Sequence, residues 1–308
     1  MAISTGNFYK TTTDQMNTVQ SSLSKIESQL SSGKQNTQAS DDPNKASLIL
    51  GINSEIARQT SYQDTITSVS SRLQTEDSAL QNVNTLLSQF NQLAIQAATS
   101  TVSLKDRGTI ANQMSQLKAQ ILSGTNTQDG TGAFVFAGSN SNQPAYAQDA
   151  QGNVTYQGDQ NSMQVSVGDS LKININTPGT NAFVNVPRSD GKGGQVGVSF
   201  FQSLNDTISA VKNSDMPNIQ RGIGELTNLT QGVNNALANV GSNESLATNQ
   251  SSVLSEVTLR LNKTLSDVQD LNYTQAITNM NRDQLALQAA QSAFAQMTKN
   301  SLFNYING

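Results

Sequence analysis

Between residues 16 and 30 the chain reads MNTVQSSLSKIESQL, which places Met16, Val19, Leu23, Ile26 and Leu30 at alternating steps of three and four. That spacing lines one side of a helix with apolar groups, in the a/d pattern of a coiled coil. Gly33 and the polar run behind it end the pattern. A second seam follows Pro43, through Ile66, Val69, Leu73, Glu76, Leu80, Val83, Leu87, Phe90, Ala94 and Ala97. From Asn44 to Ala98 there is no proline and only one glycine, Gly51. One helix of about 80 Å is expected there, at about 1.5 Å per residue. A shorter helix is expected after Thr99–Ser103, on the stripe Ile110, Met114, Leu117 and Ile121, ending at GTNTQDGTG.

The middle of the chain changes period. FVFAG, 134–138, reads as a short strand, and AYAQDAQGNVTYQG as two strands about an Ala-Gln-Gly-Asn turn. Met163, Val165 and Val167, then Leu171, Ile173 and Ile175, alternate on either side of Gly168-Asp169, the period of half-buried strands. Residues 177–195 read as a loop-rich return. Helical spacing resumes at Ser199 with Phe201, Leu204 and Ile208, then Leu226, Leu229, Val233, Leu237 and Val240. It continues through Leu254, Val257, Leu261, Thr264, Val268 and Leu271. The last stripe holds Ile277, Met280, Leu287, Ala290, Phe294 and Met297, and the chain closes on SLFNYING with Leu302. The expected fold is mainly α with a small β domain: a long antiparallel coiled-coil rod built from both termini, carrying a β-rich outer insert. The expected divisions are a terminal segment over 1–42, a rod over 43–136 and 200–268, the insert over 137–199, and a second terminal segment over 269–308.

Composition sharpens this picture. Charged residues are 13% of the 308, about half the usual share of roughly 25%, and hydrophobic residues 35%. Such a chain fills narrow seams more readily than a thick core. Net charge is −4, and no Lys/Arg cluster supplies the basic footprint that nucleic acid requires. No apolar run is long enough to span a membrane. The N-terminus lacks the basic-then-apolar layout of a secretory signal. There is no Cys, His or Trp, which removes disulfides, thiolate nucleophiles and the commonest acid/base and metal ligands. No catalytic, cofactor or metal site is expected, and the chain does not read as an enzyme.

The charged clusters have structural readings. Asp42 before Pro43 reads as a helix N-cap followed by the residue best suited to the first turn, with Asp41 adding negative charge at the positive helix end. Glu76 interrupts the second seam, either as an exposed, frayed position or as a polar register marker. Glu76-Asp77 and Lys105-Asp106-Arg107 read as solvated surface, and Gly191-Lys192-Gly193-Gly194 as a flexible loop without phosphate-loop spacing.

Several stretches together resemble the flagellin superfamily. QLSSGKQNTQASDDPNKASLI, 29–49, is similar to its N-terminal helix–loop–helix signature. QLAIQAATS, 92–100, followed by DRGTIANQMSQLKAQI, resembles its rod signature. FVFAGS, 134–139, and TYQGD, 155–159, look like the start of its outer domain. In DLNYTQAITNM, Asp270, Tyr273 and Ala276 fit the family's Asp-x-Asp-Tyr-x-x-Ala pattern, and Asn272 stands where an acid is usual. LQAAQSAFAQMTKNSLFNYI is similar to the closing helix. Pro43, the small insert and the SLFNYI ending look like the family's hook–filament junction member more than its filament subunit.

The resemblance implies a structural part of the bacterial flagellum, outside the cell, exported by the flagellar type III route without a cleaved signal peptide. Its partners would be the preceding hook-associated protein, flagellin and further copies of itself in a ring or helical layer. Met16, Val19, Leu23, Ile26 and Leu30 would form one assembly seam. Ile277, Met280, Leu287, Phe294, Met297 and Leu302 would form the other, covered before export by a cytoplasmic chaperone. In flagellins the segment matching Gln89–Leu93 carries Arg and Glu read by an animal innate receptor, so the uncharged residues here imply weak recognition. A filament-forming flagellin and a secreted coiled-coil effector that binds a host target are the alternatives.

Overall fold

The computed structural model describes residues 2–299, with side chains described for 6–296. Among them the order is α1 (Ala2–Ser32), α2 (Pro43–Ala97), α3 (Leu104–Thr125), β1 (Tyr146–Gln148), β2 (Val154–Tyr156), β3 (Gln164–Ser166), β4 (Lys172–Asn174), α4 (Gly179–Ala182), β5 (Val186–Ser189), β6 (Gln195–Val198), α5 (Phe200–Lys212), α6 (Met216–Gln269) and α7 (Tyr273–Lys299). The protein is mainly α, and each of the three sheets among the described residues is a two-stranded antiparallel hairpin. The chain forms two compact units, 1–58 with 257–308 and 59–256, here called terminal and central after their places in the sequence.

Helix limits follow local chemistry. Pro43 opens α2, and Asp42 Oδ1 accepts from the Lys45 backbone N–H at 3.1 Å, an N-cap bond that satisfies an otherwise orphaned donor. Ser103 caps α3 by accepting from Asp106 N at 3.2 Å. Ser199 caps α5 by accepting from Gln202 N at 3.3 Å.

In the central unit α2 and α6 run antiparallel. Gln63 Nε2 donates to Ser251 Oγ at 2.6 Å, and 21 positions further along α2 Asn84 Nδ2 donates to Asn234 Oδ1 at 3.1 Å. All ten positions of the second seam, Ile66 to Ala97, are buried. The nine apolar ones join Ile110, Met114 and Ile121 of α3, Phe201 and Leu204 of α5, and Leu226, Leu229, Val233 and Val240 of α6 in one core. Leu237 is only half-buried, and Ala236 takes the core position beside it.

Two expectations for the middle of the chain are corrected. FVFAG is no strand. Only Phe134 makes a bridge, to Gln128, and Val135, Phe136 and Ala137 lie fully buried in turns. A buried apolar run needs burial, not sheet pairing, and periodicity cannot separate the two. The loop-rich return over 177–195 contains α4 and part of a third hairpin, β5–β6. Pro187 and Gly197 pair there directly, two residue types that argue against a strand but are tolerated in a two-stranded edge. The GKGG stretch is that hairpin's turn. Asp190 Oδ1 accepts from Lys192 N at 2.7 Å and Gly194 N at 2.8 Å, and hydrogen bonds to these backbone donors hold the carboxyl below its usual range.

Candidate functional site

In the terminal unit α1 and α7 pack antiparallel. Ser22 Oγ donates to Asp283 Oδ2 at 2.8 Å, and the Tyr9 and Phe294 rings meet edge to face at 5.5 Å. On α1 the covered side holds Tyr9, Thr12, Met16, Val19, Leu23, Ile26 and Leu30, with Thr12, Leu23 and Ile26 buried and the others half-buried. The heptad pattern therefore extends two positions upstream of the apolar stripe. It was illegible there because Thr12 is polar.

On α7 the covered side runs through Ala276, Met280, Asp283, Leu287, Ala290 and Phe294. Ile277 lies off this line, 45% exposed. Ala276, chosen from the family pattern, is buried in the place the apolar reading gave to its larger neighbour. Leu302 and the side chain of Met297 lie outside the described residues.

The signature stretches meet in pairs, and each pair is a joint. In the first, Leu271 N donates to Gly33 O at 2.9 Å and Gln35 N to Gln269 O at 2.8 Å, around a bridge between Lys34 and Asp270. Gly33 has φ +70°, and a Cβ there would stand 3.0 Å from the Tyr273 hydroxyl, so both backbone and space call for glycine. Asn272, where the family pattern carries an acid, accepts from Gln275 N at 3.1 Å and caps α7, a task asparagine performs as well as aspartate. Asp41 does more than charge a helix end. Its Oδ2 accepts from Thr37 N and Gln38 N, both at 3.2 Å, and its Oδ1 from Lys25 Nζ at 3.1 Å. The Lys25 bond, then the backbone donors, hold its carboxyl below the usual range.

The second joint closes the α2–α3 turn. Arg107 donates to Ala97 O at 3.0 Å and Thr99 O at 3.1 Å, satisfying carbonyls at the end of α2. Arg107 is buried, so Lys105-Asp106-Arg107 is not simply a solvated cluster. Asp106 also takes the Ser103 hydroxyl at 2.7 Å.

The third joint ties the FVFAGS stretch to TYQGD. Tyr156 donates its hydroxyl to Phe136 O (3.0 Å) and Asp159 O (2.7 Å), and Asp159 Oδ1 accepts from Ser139 N at 2.8 Å. The Ser139 bonds hold the Asp159 carboxyl below its usual range. Gly138 has φ +71°, and a Cβ on it would lie 2.1 Å from Asp159 Oδ1.

Glu76 is fully buried, which overturns both its exposed, frayed reading and the solvated reading of Glu76-Asp77. Neither carboxylate oxygen has a hydrogen-bond partner of good geometry, and Arg72 Nη2 one turn earlier is likewise buried without one. Burial pushes the Glu76 carboxyl up to about 7, against the opposing pull of Thr177 and Arg72. The rest of Arg72 anchors the β region, donating through Nε to Ile175 O at 2.9 Å and pairing with Asp129. Arg188 of β5 is bidentate to Glu225 of α6 at 2.7 and 2.8 Å, and Ser203 of α5 donates to the same carboxylate at 2.6 Å. Among the described residues no group of three His, Cys, Asp or Glu side chains could hold a metal ion, and no helix is long and apolar enough to cross a membrane.

Residues 3–141 match the bacterial flagellin N-terminal helical region. The chain is 26% identical over 318 aligned positions to flagellar hook-associated protein 3 of Salmonella typhimurium, covering 98% of this chain and 99% of that one. Among solved structures, the FlgL of Xanthomonas campestris superposes with a TM-score of 0.64 at 18% identity, covering 70% of this chain and 99% of that one. The flagellar hook-associated protein 3 of Legionella pneumophila superposes with a TM-score of 0.65 at 15% identity, covering 71% and 98%. The N-terminal part of the chain is thus similar to the bacterial flagellin N-terminal helical region, and the described fold is similar to those of flagellar hook-associated proteins. The relatives it matches end to end in Salmonella typhimurium and Escherichia coli are flagellar hook-associated protein 3.

Proposed function

We propose that this chain is the structural adaptor between the hook and the filament of a bacterial flagellum, assembled through its terminal helices. The end-to-end match to hook-associated protein 3 carries the reading. The terminal unit supplies a physical basis. After α1 and α7 have paired, Leu48, Leu50, Leu259, Ile277 and Leu285 still face outward, each between 45% and 70% exposed. Covering such groups between neighbouring subunits is the ordinary driving force for assembly, at about 1.5–3 kcal/mol for each side chain fully buried.

In this reading residues 1–42 and 269–308 are the polymerisation segments, 43–136 and 200–268 the rod, and 137–199 the outer domain. The protein stands outside the cell after export without a cleaved signal, and it has no catalytic role. Its neighbours are the preceding hook-associated protein, flagellin and further copies of itself. Before export a cytoplasmic chaperone covers the seam of Met280, Leu287, Phe294 and the residues beyond it. The test is decoration of isolated flagellar ends, followed by microscopy with a labelled chain. The adaptor reading expects label at bare hook ends that carry the preceding protein. Label along flagellin filaments, or at neither place, contradicts it.

A further inference from the structure

The hairpin of β3 and β4 is tied to the long helices of the central unit at both of its ends. At the tip, Tyr62 of α2 donates its hydroxyl to Asp169 Oδ1 at 3.2 Å, and Gln250 of α6 donates to Val167 O at 3.1 Å. At the base, Arg72 of α2 donates through Nε to Ile175 O at 2.9 Å and pairs with Asp129 of the turn after α3. Between these ties Val167 and Ile173 are buried in the same core as Ile66, Val69 and Leu73 of α2. Each strand has three residues, and a two-stranded hairpin of that size is not stable alone. These few ties therefore hold it, and it can open while the helices stay folded.

The base sits beside a group that is costly to bury. Glu76 lies one turn beyond Arg72 on the same side of α2, fully buried, with neither carboxylate oxygen hydrogen-bonded. Thr177, just past β4, faces that carboxyl from the hairpin side. A neutral carboxyl is tolerated in such a place, whereas a carboxylate needs a cation or water. Both lie at the base of the hairpin. Arg72 Nη2 is buried and unpartnered while Nε is held by Ile175 O. Ile175 and Thr177 are only half-buried, so displacing them admits water to Glu76. Among the surrounding charges, Arg72 acts on Glu76 directly and Asp129 reaches it through Arg72. Glu244 of α6 bears on Asp77, the residue after Glu76, and burial pushes its own carboxyl up.

We propose that the β3–β4 hairpin is a proton-controlled strap: protonated Glu76 keeps its base closed on α2, and ionisation of Glu76 favours release of the base while the helical core stays folded. Burial raises the carboxyl of the closed form from 4.5 to about 7, and water in the open form returns it towards the ordinary value. Between those values the closed form binds more protons. Closure is fully supported below 4.5 and is lost as pH rises through about 7. Opening rises by up to roughly tenfold per pH unit across that window and levels off above it.

The experiment is native-state hydrogen exchange of the full-length chain between pH 5 and 8, corrected for the intrinsic pH dependence of exchange and repeated in low urea. The reporters at the base are the Met163 and Ile175 amides, which donate to Asn176 Oδ1 and Met163 O. The Leu87 amide, in the buried seam of α2, reports global unfolding. Met163 and Ile175 are expected to exchange at least roughly tenfold faster than Leu87 and without acceleration by low urea, as for a local opening. Their opening should climb roughly tenfold per pH unit up to about 7 and then level. Glu76→Gln should abolish the climb, and Glu244→Gln should leave it. Exchange of Met163 and Ile175 that follows Leu87 in rate and urea dependence would show that no separate strap opening exists. A corrected opening that is flat with pH, or a climb that survives Glu76→Gln and is lost in Glu244→Gln, would equally overturn the proposal.

Discussion

The Ser22 hydroxyl donates to the Asp283 carboxylate at 2.8 Å, across 261 positions of sequence. Asp283 occupies a heptad position of α7 that is otherwise small or apolar, and it is only 9% exposed. A polar group at such a position costs stability and fixes which residues face each other. The pair therefore sets the register of the two terminal helices.

A double-mutant cycle tests this. Ser22→Ala and Asp283→Ala should each destabilise the terminal unit, and together by less than their sum, with a coupling of about 1 kcal/mol. Asp283→Leu should keep the helices paired but admit other registers, read by disulfide trapping between engineered cysteines. Zero coupling in urea unfolding, or a single trapped register in the Leu variant, would contradict the assignment.

The cap at α2 gives a local prediction. Asp42→Ala should cost about 1 kcal/mol, and Asp42→Asn should restore most of it, because the Lys45 N–H needs an oxygen rather than a charge. Hydrogen exchange over the first turn of α2 reads the change directly. Equal exchange in Ala and Asn variants would show that the bond does not hold the turn.

Arg107 closes the α2–α3 turn with two nitrogens on two carbonyls. Arg107→Lys keeps the charge but cannot reproduce the planar fork. It should lose about 1–3 kcal/mol, nearly as much as Arg107→Ala. A Lys variant that unfolds at the wild-type urea midpoint would show that charge alone suffices.

Glu76 predicts how stability changes with pH. Its carboxyl titrates at 4.5 when unfolded and at about 7 in the fold. Between those values the folded state binds more protons, so stability is fully present below 4.5 and falls as pH rises through about 7. The full effect is on the order of 3 kcal/mol. The carboxyls of Asp41, Asp159 and Asp190 lie below their ordinary 3.8 and act oppositely, losing stability only in more acid solution. Glu76→Gln should remove the loss between pH 4.5 and 7 and leave the acid limb unchanged. Unfolding midpoints flat between pH 5 and 8 in the wild-type chain would refute a buried, proton-linked Glu76.

Much of this was legible in the sequence, for one physical reason. The long seams are periodic, and a helix that buries one side must repeat every three or four residues. The seam from Ile66 to Ala97 is buried at every apolar position expected, and Glu76, whose charge argued for exposure, is buried with them. What stayed hidden were positions where identity and burial disagree. Thr12 and Asp283 are polar and covered, and Ile277 is apolar and exposed. Arg107 looks like surface in a Lys-Asp-Arg run, yet its partners are carbonyls 8 and 10 residues back. The third hairpin was masked by Pro187 and by a glycine-rich turn. The signature stretches could be read one by one, but their pairing into joints depends on contacts that no local pattern carries.

The central claim, assembly through the terminal helices at the hook–filament boundary, is tested most directly by seeded polymerisation. Purified chain is offered hook ends carrying the preceding hook-associated protein, or flagellin seeds, and products are measured by sedimentation and negative-stain microscopy. A parallel sample carries Leu23→Asp, which places a charge in the buried seam of α1. The account predicts a short, self-limiting layer on hook ends, no filament growth by the chain alone, and no layer with the Leu23→Asp variant. Long filaments of the chain itself would make it a filament subunit. Binding to neither seed, or an undiminished layer from the variant, would contradict assembly through these helices.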